Sequence, residues 1–178
     1  GWTLADPNRI DMMDVLRNAK PNVLIGVTAR PGLFDDAVLG QMAANDPRPV
    51  ILALSNPTSK VECTPDAVAK ATNGRFLMAT GSPFAPVQAA DGIQGIAQCN
   101  NLFIFPGVGL GAIVSGSPKV TDAMFAAGAN ALSAMVTPEQ KAKGWLLPKM
   151  ENIREVSAQV AMAVAREARD SGLGRRLD

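Results

Sequence analysis

The stretch Pro49–Lys60, PVILALSNPTSK, constrains the fold of this chain more than any other. Val50, Ile51, Leu52 and Leu54 form an apolar run without alternating polar residues, the pattern of a strand buried on both faces of a parallel sheet. The run turns polar at Ser55, Asn56, Pro57 and Thr58, turn-forming residues set where the strand leaves the sheet. In open α/β sheets ligands bind outside the carboxyl ends of the strands. This strand is therefore expected to deliver an amide and two hydroxyls to a ligand crevice. Taken alone, the segment is better satisfied by an ordinary strand-to-helix loop in which Asn56 bonds its own backbone.

The unit repeats along the chain. Asn22–Val27 (NVLIGV) reads as another buried strand, followed by TARPG, where Gly26 and Gly32 bracket a turn. A helix over roughly 33–44 leads from it towards Pro49. After SNPTSK, Thr64 is a natural N-cap with Pro65 at the first helical position and Asp66 behind it, which predicts a helix from about Pro65 to Ala71. Arg75–Thr80 (RFLMAT) reads as a further strand. Strands alternating with helices at this spacing predict an α/β fold with a doubly wound, Rossmann-like parallel sheet. Ahead of this pattern, Ile10, Met13, Val15 and Leu16 recur at helical spacing and the run stops at Lys20 and Pro21.

Beyond the third strand, GSPFAPVQAADGIQGIAQCNN reads as a long loop, of a length that tends to be functional or mobile. Phe103–Phe105 (FIF) reads as a fourth strand, entering PGVGLG. That motif holds GxG but not GxGxxG, and no acidic residue follows about 20 positions later to anchor a ribose, which favours helix packing over phosphate binding. Near the end, Thr137, Pro138 and Gln140 resemble a capping box. Ile153, Val156, Val160 and Val164 fall on one face of a closing helix, opposite arginines and glutamates, as a core-facing stripe does.

Composition narrows the function classes. A chain of 178 residues suits one domain with a real core. Seventeen basic and sixteen acidic residues are scattered, so no electrostatic footprint for nucleic acid or an anionic membrane is present. No apolar run approaches the roughly 18 residues of a membrane span, and no signal peptide opens the chain. A soluble, cytoplasmic protein is expected. The chain has no histidine, which removes Ser-His-Asp and Cys-His nucleophilic schemes and histidine metal sites. Cys63 and Cys99 read as isolated small apolar residues without a redox role. An opening at Gly1, close to a helix, suggests the later portion of a longer protein.

SNPTSKVECTPDAVAKAT, ATGSPF, NNLFIFPGVGLGAI, VTDAMFAAGANALSAMV and IREVSAQVAMAVAREA, in that order and at similar spacing, resemble the successive motifs of the malic enzymes over essentially the whole chain. The SNPTSK wording is more similar to the large class than to the small bacterial class. The resemblance implies that residues 1–178 are the C-terminal portion of an NAD(P)-binding domain, the later half of the sheet with C-terminal helices, without the family's upstream substrate and metal region. It implies an oxidoreductase that converts L-malate to pyruvate and carbon dioxide with NAD or NADP, using magnesium or manganese in the full enzyme. By resemblance, Gly26, Val27, Thr28, Ala29, Ser55, Asn56, Gly81, Ser82 and Asn100 would contact the cofactor, and Asn56 and Asn101 the substrate.

Thr28, Arg30 and Cys99 stand where the family usually has glycine, and Leu147 where tyrosine is common. The family's general-base lysine, general-acid tyrosine, carboxylate metal ligands and GxGxxG loop match nothing here. No catalytic or metal-ligating residue is therefore assigned, and the chain by itself is expected to be inactive. The resemblance also implies a homo-oligomer. Two further readings stay open: a malolactic enzyme, which makes lactate from malate, and a non-catalytic nucleotide-binding or assembly module.

Overall fold

A computed structural model describes residues 1–175. The chain divides into two compact units, Gly1–Gln98 with Lys143–Trp145, and Cys99–Ala142 with the chain from Leu146 on.

The first unit is α/β, in the order α1 (Met12–Ala19), β1 (Val23–Gly26), α2 (Asp36–Asn45), β2 (Val50–Ala53), α3 (Pro65–Ala71), β3 (Leu77–Thr80), β4 (Val87–Ala89), β5 (Gly92–Gln94) and β6 (Ala97–Gln98). Each helix begins where local chemistry satisfies its free N–H groups. Asp11 and Asp14 cap α1 reciprocally, the Asp35 carboxylate accepts the Val38 N–H at 2.9 Å, and the Thr64 hydroxyl accepts the Ala67 N–H with Pro65 at the first turn.

The main sheet is parallel, in the order β1-β2-β3-β6. Its register sets Gly26 beside Ala53 and Ala53 beside Thr80. Three strands thus end at one level, and their loops leave the sheet along a single edge. Leu16 of α1, Val38, Leu39 and Met42 of α2 and Val68 of α3 form one core with Ile51, Ala53 and Met78.

Three details of this unit differ from the sequence reading. An unbroken apolar run suggests two covered faces, yet the helices of this unit cover one, and Ile25 and Val27 are 59% and 74% exposed. Strand side chains alternate between faces, so the residues on the open side stay apolar without being buried within this unit. The long loop after β3 is partly ordered, as the antiparallel β4–β5 hairpin followed by β6. The helix expected from residue 33 starts at Asp36, because Asp35 caps it, while Phe34 is buried ahead of it.

The second unit is helical among its described residues, with α4 (Phe105–Ser115), α5 (Asp122–Ala134), α6 (Pro138–Ala142) and α7 (Ile153–Asp170). FIF is not a strand: Asn101–Phe103 form a 3-10 turn and Phe105 opens α4. Pro106 sits in the first helical turn, where its fixed φ suits a helix and its missing N–H costs nothing. The sheet's fourth strand is instead β6, beside β3. PGVGLG lies inside α4, with Gly107 and Gly111 against α7. Val156, Val160 and Val164 of α7 are fully buried with Phe103, Val108 and Met124. Thr137 and Gln140 exchange capping hydrogen bonds ahead of α6, at 2.9 and 3.2 Å.

Candidate functional site

The common level of the strand ends gathers the residues of three loops. Gly26 ends β1 and Val27, Thr28 and Ala29 follow it, Ser55 and Asn56 follow β2, and Gly81 and Ser82 follow β3. Two cross-loop hydrogen bonds join them. The Ala29 N–H donates to Ser55 Oγ at 2.8 Å, and Ser82 Oγ donates to Asn56 Oδ1 at 2.6 Å. Ala29 is held at φ 55°, a left-handed conformation that costs a residue with a side chain about 1 kcal/mol or more and collects at ligand-binding loops.

The bond from Ser82 decides what Asn56 offers. With Oδ1 engaged, the Nδ2 donor has no partner among the described residues, and Asn56 itself is exposed, ahead of a cis bond to Pro57. Gly81 makes room for this arrangement. A Cβ there would collide with the Leu54 carbonyl oxygen and lie 2.8 Å from Asn56 Nδ2. Thr80 Oγ1 donates to the Ser82 carbonyl at 2.8 Å and Gln98 Nε2 to the Gly81 carbonyl at 3.1 Å, which fix the third loop from both sides.

Glu62, which the sequence reading passed over, underlies the first two loops. It is fully buried. Its Oε1 accepts the Thr28 N–H at 2.7 Å, the Thr28 hydroxyl at 2.9 Å and the Ser55 hydroxyl at 2.5 Å, and Oε2 accepts the Ser55 N–H at 3.4 Å. Burial pushes the Glu62 carboxyl up, but the hydrogen bonds from Ser55 and Thr28 outweigh it and hold the group below the usual glutamate value. Gly26 is a glycine for the same reason: a Cβ would lie 2.7 Å from both Glu62 Cδ and Phe34 Cζ. The one signal in the sequence was an acid between two apolar residues, Val61 and Cys63, ahead of the Thr64 cap.

A cleft of about 640 Å³ lies between the loops at 31–35 and 58–64, with Cys63 among its lining residues. Burial, and then the Glu62 charge, push the Cys63 thiol up to about 12, so it offers no thiolate nucleophile near neutrality. Among the described residues no group of three or more acidic, cysteine or histidine side chains could hold a metal ion, and no helix is long and apolar enough to cross a membrane.

Asn100 and Asn101 belong to the second unit. Asn100 Oδ1 accepts the Leu102 N–H at 3.0 Å and caps the 3-10 turn. Asn101 is exposed, and among the described residues no hydrogen bond engages its amide.

The model of the malic enzyme NAD-binding domain matches residues 2–169. The NAD-dependent malic enzyme of Acinetobacter baylyi is 49% identical over 164 residues, 92% of this chain and 29% of its own length. That of Shewanella halifaxensis is 48% identical over 165 residues, with 93% and 29% covered. The crystal structure of a malic enzyme from Pyrococcus horikoshii superposes with a TM-score of 0.69 at 30% identity, covering 86% of this chain and 31% of that one. The chain thus spans about three-tenths of the length of the curated relatives it matches.

Proposed function

The chain belongs to the malic enzyme family, through its NAD-binding domain, and from that premise we propose that it serves an enzyme that oxidises L-malate with NAD and releases pyruvate and carbon dioxide. The observation that carries this reading is the Asn56 amide, fixed by Ser82 at the common end of three parallel strands within a segment that the family's NAD-binding domain matches.

The donor set suits a nicotinamide. Asn56 Nδ2 has N–H donors unengaged among the described residues and available to a carboxamide or carboxylate oxygen, exposed Val27 offers apolar surface, and none of the eight gathered residues carries a charge. NAD, when bound, supplies the acceptor for the hydride. A neutral amide orients its oxygen partner without an electrostatic bias against that transfer. Thr28 contributes differently, since its N–H and hydroxyl both turn inward to Glu62. Asn101, with its amide unengaged, is the candidate for the substrate carboxylate. NAD rather than NADP is proposed because the matched relatives are named NAD-dependent.

Magnesium or manganese does not fit the described residues, which offer no ligand cluster, so no step is derived through a metal. Residues 1–178 alone are proposed to be inactive for want of a base, an acid and metal ligands. Homo-oligomeric assembly and a cytoplasmic location belong to the same reading, on family resemblance. The test uses a full-length enzyme containing this chain, supplied with L-malate, NAD and manganese. Appearance of NADH with equimolar pyruvate is expected; lactate without net NADH would establish the malolactic alternative, and neither product would overturn both.

A further inference from the structure

We propose that Glu62 is the positioning residue of the coenzyme-facing edge: its buried carboxylate sets the paths of the 28–30 and 55–56 loops, and so what they present to the nicotinamide end of NAD. This inference rests on the proposed function.

A buried carboxylate is costly unless paired or thoroughly hydrogen-bonded. Glu62 has no cationic partner among the described residues. What stabilises it is the set of donors from Thr28 and Ser55, drawn from loops 34 and 7 residues away in sequence. The charge therefore dictates hydroxyl direction. Ser55 must give its proton to Glu62, which leaves its oxygen lone pairs to accept the Ala29 N–H. That bond closes over Ala29 in its left-handed conformation. Thr28 must turn both of its donors inward, so the first loop presents Val27 and backbone outward instead. Asn56 follows Ser55 directly, and the place of its amide follows from the anchored serine. The Glu62 backbone takes part as well, its carbonyl accepting the Phe34 N–H at 3.1 Å, which ties down the far end of the first loop.

Glutamine at 62 keeps the shape but replaces one acceptor oxygen with a donor and removes the charge. Donors that converge on the carboxylate then lack a strong acceptor. The effect should appear in coenzyme binding, because the carboxylate is buried beneath the 28–30 and 55–56 loops and its oxygens are taken up by Thr28 and Ser55.

The experiment measures Glu62→Gln, Glu62→Asp and Ser55→Ala in a full-length enzyme containing this chain. NADH affinity is read by fluorescence titration, KM for NAD and for malate by steady-state kinetics, and folding by thermal melting. Glu62→Gln should weaken NADH binding and raise KM for NAD by roughly tenfold to a hundredfold, with malate KM within about threefold. Glu62→Asp, which keeps the charge, should recover part of the loss. Ser55→Ala should act in the same direction, and the double variant should fall short of the sum of the singles because both break one network. A lowered melting temperature with unchanged NADH affinity would overturn the proposal, as would an equal loss in malate and NAD. If Glu62→Gln does not fold, unchanged NADH affinity in Ser55→Ala overturns it instead. A wild-type enzyme that binds NADH without oxidising malate would sink the proposed reaction yet leave the Glu62 titration decisive.

Discussion

The two units bring backbone close to backbone by opposite means. At the strand ends of the first, loops meet through a buried carboxylate and hydroxyls, with Glu62, Ser55 and Thr28 sharing hydrogen bonds. In the second, helices meet through missing side chains, with Gly107 and Gly111 of α4 lying against Val160 and Val164 of α7. Gly128 of α5 adds a third such contact, where a Cβ would lie 3.3 Å from both Val160 Cγ1 and Val164 Cγ2. Polar closure depends on charge and direction, and is disturbed by a change that keeps the shape but removes the charge. Apolar closure depends on volume, and a single methyl group is enough to disturb it. The first is suited to shaping a ligand edge, the second to rigidity.

The largest effect should come from adding that methyl. In Gly107→Ala the new Cβ would sit 2.6 Å from Val160 Cβ and 2.8 Å from the Ser157 carbonyl oxygen. A β-branched valine and a helix backbone yield poorly, so a loss of about 3 kcal/mol is expected, or roughly 6–12 °C in melting temperature. Denaturant or thermal unfolding measures it. A melt within about 2 °C of wild type would break the comparison by showing that the helices can separate freely.

Next in size is Asn101→Ala, set against Asn100→Ala, in a full-length enzyme containing this chain. If Asn101 holds the substrate, malate-dependent efficiency should fall roughly tenfold to a hundredfold with little change in the constant for NAD. Because Asn100 is the residue that caps the turn, its loss should instead cost about 1 kcal/mol of stability. Unchanged malate kinetics in Asn101→Ala would remove the substrate role. A full stability loss in that variant would shift the capping role to it.

A smaller effect is expected in acid. The Glu62 carboxyl is held below its ordinary value of about 4.5. A depressed carboxylate contributes stability in full above its unfolded value and loses it as pH falls through the folded value. Wild type should therefore lose melting temperature faster than Glu62→Gln between pH 6 and 3, in melts run at about half-unit steps. A constant gap between the two across that range would show that the carboxylate contributes no linked proton.

The smallest effect concerns Cys63. With its thiol raised to about 12 by burial and the Glu62 charge, alkylation of the native protein at about pH 8 should be very slow at this position and complete only after unfolding. Peptide mapping after timed iodoacetamide treatment measures it. Rapid native labelling would mean that the region around Glu62 opens readily, which would weaken the picture of a closed polar network.

Much of this was legible in residues close together in the chain. The start of α3 follows from Thr64 and Pro65, the stripe of α7 from valines four apart, and β1, β2 and β3 from compact apolar runs. Such signals are local, because capping and side-chain periodicity are settled within one or two turns. The motif order also carried the family. What the sequence could not decide was how distant segments complete one another. FIF has a strand's composition, yet Pro106 and the packing of Gly107 and Gly111 on α7 make its end the start of a helix. Glu62 looks like a surface acid beside a helix cap until the fold brings Thr28 to it from 34 positions away, and Ser55 to Ala29 across 26. Those pairings depend on strand register and on which face the helices cover, quantities fixed only when the whole core closes. Tertiary structure alone therefore turned an unremarked glutamate into the residue that shapes the candidate site.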